Sequence, residues 1–198
     1  MVERVPASMV ERLARAADAF AEHGFESARI EDIAKATGIP RATLYYHFRS
    51  KENVLGFLLQ SMLDETTAAV EAAVASKAKA PVRLRRVIEA HLAVMAANPA
   101  TARLLVGNLT GAGALTDMAA AIKSSFSDPA SRLLAEGIDD GSFRAVDIER
   151  TTSALFGAVV VAGLRELVVA EGLDVAAVTS AVVALVLDGL AKPRGARR

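Results

Sequence analysis

A chain of 198 residues that is 53% hydrophobic can bury a sizeable core, and its 23 Lys and Arg are matched by 23 Asp and Glu. That balance excludes a whole-molecule electrostatic pull toward nucleic acid, so any affinity for DNA rests on local placement of charge. The absence of cysteine excludes disulfides, thiolate metal sites and a cysteine nucleophile, and fits a cytoplasmic location.

The first helix is expected over about 8–23, with Met9, Leu13, Ala16, Ala17 and Phe20 as its inner stripe and Gly24 ending it. Two short helical patterns follow within 29–51. In the first, Ile30, Ile33, Ala34 and Thr37 recur at helical spacing until Gly38 supplies a left-handed or open backbone, and Pro40 presets the start of the second. The second, 41–48, turns Leu44 and Phe48 inward and leaves Arg41, Ala42, Thr43, Tyr45, Tyr46 and His47 outside.

Such a helix suits a DNA major groove. Arg41 offers a forked pair of donors to guanine, Ala42 lets the backbone come close, and the Thr43 methyl or hydroxyl can meet a base edge. Tyr45 completes the outer face. Tyr46, His47 and Lys51 are candidate phosphate donors, together with the free amides that open the next helix. The first 51 residues hold eight basic against seven acidic side chains, so this surface is not strongly basic.

These residues also carry a resemblance. The run from Phe20-Ala21-Glu22-His23-Gly24-Phe25 through Ile33-Ala34, Gly38-Ile39 and Leu44-Tyr45-Tyr46-His47-Phe48 to Ser50-Lys51-Glu52 is similar to the helix-turn-helix of the TetR family of one-component repressors. It covers about the first third of the chain. Two positions depart from the pattern: Arg29 stands where the family usually has a hydroxyl cap, and Pro40 where it usually has serine. Losing a hydroxyl cap costs about 1 kcal/mol, and Arg29 is instead a candidate phosphate contact. The resemblance implies an all-α fold: a three-helix DNA-binding domain over 6–66, with the helix-turn-helix at about 29–48, and a helical ligand-binding and dimerisation domain over 67–198.

Past Phe48, Arg49-Ser50 caps a long helix in which Val54, Leu55, Leu58, Leu59, Met62, Leu63 and Val70 keep helical period to about 75. It is the natural lever between the two halves. A break at 76–81 precedes a helix with Leu84, Val87, Ile88, His91, Leu92 and Met95 on one face and Arg83, Arg85 and Arg86 on the other; that triplet is either a second nucleic-acid patch or a solvated face. Asn98-Pro99 opens a further helix, and 110–114 is a glycine-rich loop. Leu115, Met118, Ile122 and Phe126 resume the period, and Ser127-Asp128-Pro129 either kinks that helix or caps its successor. Asp139-Asp140-Gly141 makes a turn, and 193–198 is a basic tail expected to fray.

The last two helices, about 147–170 and 174–192, begin with acidic caps and are apolar nearly all round in their middles. The runs 154–164 and 175–187 fall short of the roughly 20 residues a bilayer span needs, so both are expected to be buried in protein and no membrane partner is expected. No secretory signal pattern opens the chain. Burial within one chain and burial between two copies would both explain this apolarity. The TetR resemblance implies the second, a homodimer in which these helices pair with their copies, with Ala154, Gly157, Ala158, Ala162, Gly163, Val182 and Leu185 at the interface.

Catalytic and metal constellations are missing: His23, His47 and His91 lie far apart, and no phosphate loop appears. No enzyme activity or cofactor is expected. His91 interrupts an apolar stripe, and is either a core histidine satisfied by one hydrogen bond or part of a ligand cavity. The cavity reading has Met95, Met118, Ile122, Phe126, Leu155 and Phe156 as apolar wall and Asn108, Arg103 and Arg165 as polar contributors. The expected function is a ligand-responsive regulator, most simply a repressor, whose dimer binds double-stranded operator DNA and is released by a small apolar effector. The competing expectation is a small-molecule carrier with no sequence-specific DNA binding.

Overall fold

Leu13, Phe20, Ile33, Leu44 and Phe48 have lost nearly all exposure, and they lie on or beside four successive short helices. In the computed structural model, which describes residues 5–107, 120, 122–170 and 172–190, these are α1 (Ala7–Leu13), α2 (Ala16–His23), α3 (Ile30–Thr37) and α4 (Arg41–His47). The single first helix expected from periodicity is divided. The Arg15 N–H bonds back to Arg12 and that of Asp18 to Arg15, three residues in each case, so the chain tightens by a 3₁₀ step between α1 and α2. The inner stripe still faces one core.

There follow α5 (Lys51–Val74), α6 (Ala80–Ala97), α7 (Pro99–Gly107), a π-helical turn (Lys123–Ser127), α8 (Asp128–Asp139), α9 (Ile148–Val169) and α10 (Val175–Leu190). Every regular element among the described residues is helical. Packing divides the chain into two units, Met1–Met62 with Ala100–Leu109, and Leu63–Pro99 with Thr110–Arg198. The boundary thus falls inside α5, and α7 returns to the first unit, where Ala100 and Leu104 pack on the core of α1 to α5. Sequence gave no sign of that return.

In the second unit α6 is the centre, packing against α8, α9 and α10. Its buried residues Leu84, Val87, Ile88, Leu92 and Met95 are those of the expected stripe. Arg83 does not join Arg85 and Arg86 outside: it ion-pairs with Glu136 of α8 and donates to the Val74 carbonyl at 3.4 Å. The basic triplet is therefore only a pair of exposed arginines. Gly137 of α8 lies so close to Phe143 that a Cβ would stand 2.2 Å from the ring, and Phe143 returns its N–H to the Gly137 carbonyl at 2.7 Å.

The π-turn has a local cause. Pro129 has no N–H to give to the carbonyl four residues back, and its ring clashes with that group. The backbone widens instead: the Asp128 N–H reaches Lys123, five residues back. Of the two possibilities at Ser127-Asp128-Pro129, the helix does not end there: Ser127 and Asp128 keep helical backbone angles, and the Ser127 side chain does not cap α8.

The acidic caps of the last two helices form as expected. Asp147 accepts the Arg150 N–H at 3.0 Å and Asp174 that of Ala177 at 2.9 Å. The length argument needs correction, because α9 continues through Arg165-Glu166 to 22 residues and by length and composition alone could cross a membrane. Within the unit, Thr152, Leu155, Val159, Gly163 and Leu167 form one buried stripe along it, so it serves as a core helix. Full burial is not achieved within one chain: Val161, Val168 and Val169 of α9 and Leu185 of α10 remain exposed.

Candidate nucleic-acid interface

The turn between α3 and α4 is built from three local choices and one distant one. Asp32 accepts the Arg29 N–H at 2.9 Å, the returning half of a capping box, while the Arg29 side chain has no acceptor to complete the other half. Gly38 adopts φ 64°, ψ 15°, the left-handed conformation that ends α3. Thr37 Oγ1 donates to the Ile33 carbonyl at 2.7 Å and accepts the Ile39 N–H at 3.2 Å. The distant contribution is Arg12 of α1, which donates to the Thr37 carbonyl at 3.3 Å and also to that of Gly38. A cation thereby satisfies carbonyls at the negative end of α3.

On this frame α4 buries Leu44 completely and exposes its other face. Tyr45 and Tyr46 are 55% and 67% exposed, a large aromatic area turned to solvent. Ala42 is exposed, and Thr43 and His47 are half-buried. The His47 ring stands edge-on to Tyr46, centroids 5.0 Å apart, and its enclosed Nδ1 has no hydrogen-bond partner among the described residues. Arg29 is exposed at the start of α3. Arg41, with 60% of its side chain exposed, donates to Glu31 Oε1 at 2.6 Å, tying the first turn of α4 to the first turn of α3.

Glu31 was not anticipated from the sequence. It occupies the Arg41 guanidinium in the free protein, and a guanine or phosphate must compete with it or share the fork. Lys51 also differs from expectation. Its ammonium donates to the Phe25 and Glu26 carbonyls at 2.8 and 2.6 Å and lies 5.0 Å from the Phe25 ring centroid, closing the loop after α2 onto the start of α5. These bonds use two of its three donors.

Substitution separates the two cations. Arg41→Ala should leave stability within about 1 kcal/mol, because its ion pair is solvated, and should relax discrimination at one base pair of each half-site by about 1–3 kcal/mol. Lys51→Ala should instead destabilise the first unit by about 1–3 kcal/mol through its lost bonds to carbonyls, weakening all DNA sequences alike. Melting curves and binding to single-base operator variants measure both; unchanged base discrimination in Arg41→Ala would remove that residue from the reading set.

The residues expected around a ligand are only partly brought together. His91 meets Phe126 and Phe156 edge-on at 5.3 and 5.9 Å, and those two rings lie 5.4 Å apart. Met95 and Leu155 are buried in the same unit and Ile122 is half-buried. The enclosed His91 Nδ1 has no hydrogen-bond partner among the described residues, and burial pushes the ring's pKa down to about 4. Arg165 is exposed and bonds Glu166 at 2.9 Å, while Arg103 belongs to α7 in the first unit, lining a surface cleft of about 480 Å³ with Phe20, Phe25 and Ala100. Asn108 and Met118 lie outside the described residues.

Of the residues expected at a dimer interface, Ala154 and Leu185 are exposed and Gly157, Ala158 and Ala162 half-buried. Gly163 and Val182 are used within the chain. A Cβ on Gly163 would meet Met95 at 2.9 Å and Leu92 at 3.0 Å, so this glycine serves the approach of α9 to α6; Val182 is buried in the same unit.

Paired helices with a buried Leu44, a left-handed Gly38 and an exposed arginine–tyrosine face define a helix-turn-helix DNA-binding protein. Residues 13–56 match the family model described as bacterial regulatory proteins, tetR family, and 77–164 match one described as tetracyclin repressor-like, C-terminal domain. The HTH-type transcriptional repressor KstR2 of Rhodococcus jostii is 31% identical over 182 residues, covering 90% of this chain and 88% of that protein. The chain belongs to the TetR family and is a DNA-binding transcriptional regulator. Among solved structures, the ketosteroid transcriptional regulator KstR2 of Mycobacterium tuberculosis superposes with a TM-score of 0.77 at 25% identity over 98% of this chain and 100% of that one. The FadR regulator of Bacillus subtilis in complex with stearoyl-CoA gives 0.79 at 22% identity over 91% and 98%, a likeness of fold.

Proposed function

We propose that two copies of this chain, paired through the exposed faces of α9 and α10, occupy a near-palindromic operator and are released by a small apolar effector bound in the second unit. The observation that carries the DNA half is the outward set of Arg41, Ala42, Tyr45 and Tyr46 on a helix whose other side is locked by Leu44. Pairing is supported by Val161, Val168, Val169 and the 75%-exposed Leu185, apolar residues that water covers poorly in a lone chain. The effector reading is supported by the aromatic cluster around His91 and by relatives whose names speak of ketosteroid and stearoyl-CoA. Such a regulator works in the cytoplasm, where its operator is.

Two-fold symmetry sets the half-sites about one DNA turn apart, roughly 34–36 Å, or a multiple. An effector that prefers a different spacing of the two reading heads lowers operator affinity by that same preference, typically about 1–3 kcal/mol. The helix α5 contributes residues to both units and is the element to carry it. Leu185→Asp should leave the chain folded, since the side chain is exposed, but shift it to monomer in sedimentation and cost operator affinity at least about tenfold, as one head alone must hold one half-site. Footprinting on DNA flanking the chain's own coding region should show two protected half-sites related by a dyad. A Leu185→Asp protein that stays dimeric, or a footprint without a dyad, would sink this arrangement.

A further inference from the structure

We infer that the effector presents an uncharged oxygen, as in a ketone, ester, thioester or alcohol on an apolar body, to the imidazole of His91, which is the polar anchor of the second unit. This deepens, and rests on, the ligand-responsive reading above.

Buried polar atoms are nearly always partnered, so an enclosed Nδ1 with no partner among the described residues requires a reason. It lies on α6 among apolar residues, with Phe126 and Phe156 set edge-on against the ring. Phe126 itself lies in the π-turn, and π-turns concentrate at functional sites. A neutral imidazole can donate an Nδ1–H to a carbonyl oxygen or, in its other tautomer, accept a hydroxyl proton at Nδ1, in either case without bringing charge among the rings.

A free carboxylate is a poor match. Burial alone holds the His91 pKa down, so no neighbouring charge helps the ring to protonate. With a pKa of about 4, only about one molecule in 10³ is imidazolium at pH 7. The arginine of this unit expected to receive an acid does not serve: Arg165 is exposed and paired with Glu166.

The test uses the full chain with decanoic acid, methyl decanoate, decan-1-ol and decane at pH 7.5, followed by binding isotherms and the ¹⁵N resonances of the histidine rings. Methyl decanoate or decan-1-ol should bind at least about tenfold tighter than decanoic acid and should move the His91 ¹⁵N signals, which decane should not. His91→Phe should cost the preferred ligand about fivefold to tenfold while leaving decane unchanged, and His91→Gln, which keeps a polar amide, should recover part of the preference. The ¹⁵N readout stands if either variant fails to fold. Binding of the acid as tight as the ester, or His91 resonances indifferent to the oxygen, overturns the anchor while the ligand-responsive reading survives. Failure of every compound to bind overturns both.

Discussion

Phe48→Ala should unfold the first unit at temperatures where the second remains intact, and should abolish operator binding with it. Phe48 ends the recognition helix, has no exposed area, and meets Phe57 of α5 edge-on with centroids 5.6 Å apart. Truncating a fully buried phenylalanine costs about 3–5 kcal/mol, a large share of the stability of a unit this small. The core it leaves is shared by α1 to α5, so the loss does not stay local to α4. Circular dichroism melts should change from one pattern to two separated transitions, the lower one belonging to the first unit. A single transition at the parent temperature, with operator binding retained, would mean that α4 is not held by this contact.

The second large effect is a loss of stability in mild acid. His91 has a folded pKa of about 4 against an ordinary value of 6.5. As pH falls below 6.5 the unfolded chain takes up a proton at this ring and the folded chain does not, so stability falls with pH until the folded pKa is reached near 4. At about 1.4 kcal/mol per unit, the loss between pH 7 and pH 4 reaches up to about 3 kcal/mol. Above pH 6.5 the ring is neutral in both states and contributes no slope. His91→Gln removes this term, so denaturant midpoints of the parent and variant should converge or cross as pH falls, whereas parallel curves would show that His91 protonates freely in the fold.

The helix-turn-helix was legible because its determinants are local. Gly38 must be left-handed, Pro40 presets the next helix, and Leu44 and Phe48 are spaced for one face. What sequence did not disclose comes from pairs far apart in the chain. Arg12 reaches the end of α3 from 25 residues away, and Lys51 reaches the Glu26 carbonyl across a similar gap. Glu31 and Arg41 look like independent surface charges until α3 and α4 are folded together. The same limit explains the second unit. Periodicity found the apolar face of α6, yet Arg83 turns toward Glu136 and Gly163 serves the approach of α9 to α6. A stripe pattern says which side of a helix is buried but not which helix buries it.

Sequence-specific recognition by the outward face of α4 is the centre of this account, and one titration tests it directly. Fluorescence anisotropy at one fixed, physiological salt concentration compares a duplex from the DNA flanking the coding region with a shuffled duplex of the same length and composition. The flanking duplex should bind at least about 10³-fold tighter, the ordinary separation between specific and non-specific binding. Equal affinity for both duplexes would leave only backbone attraction and would contradict the reading of Arg41, Ala42, Thr43 and their neighbours as a sequence-reading face.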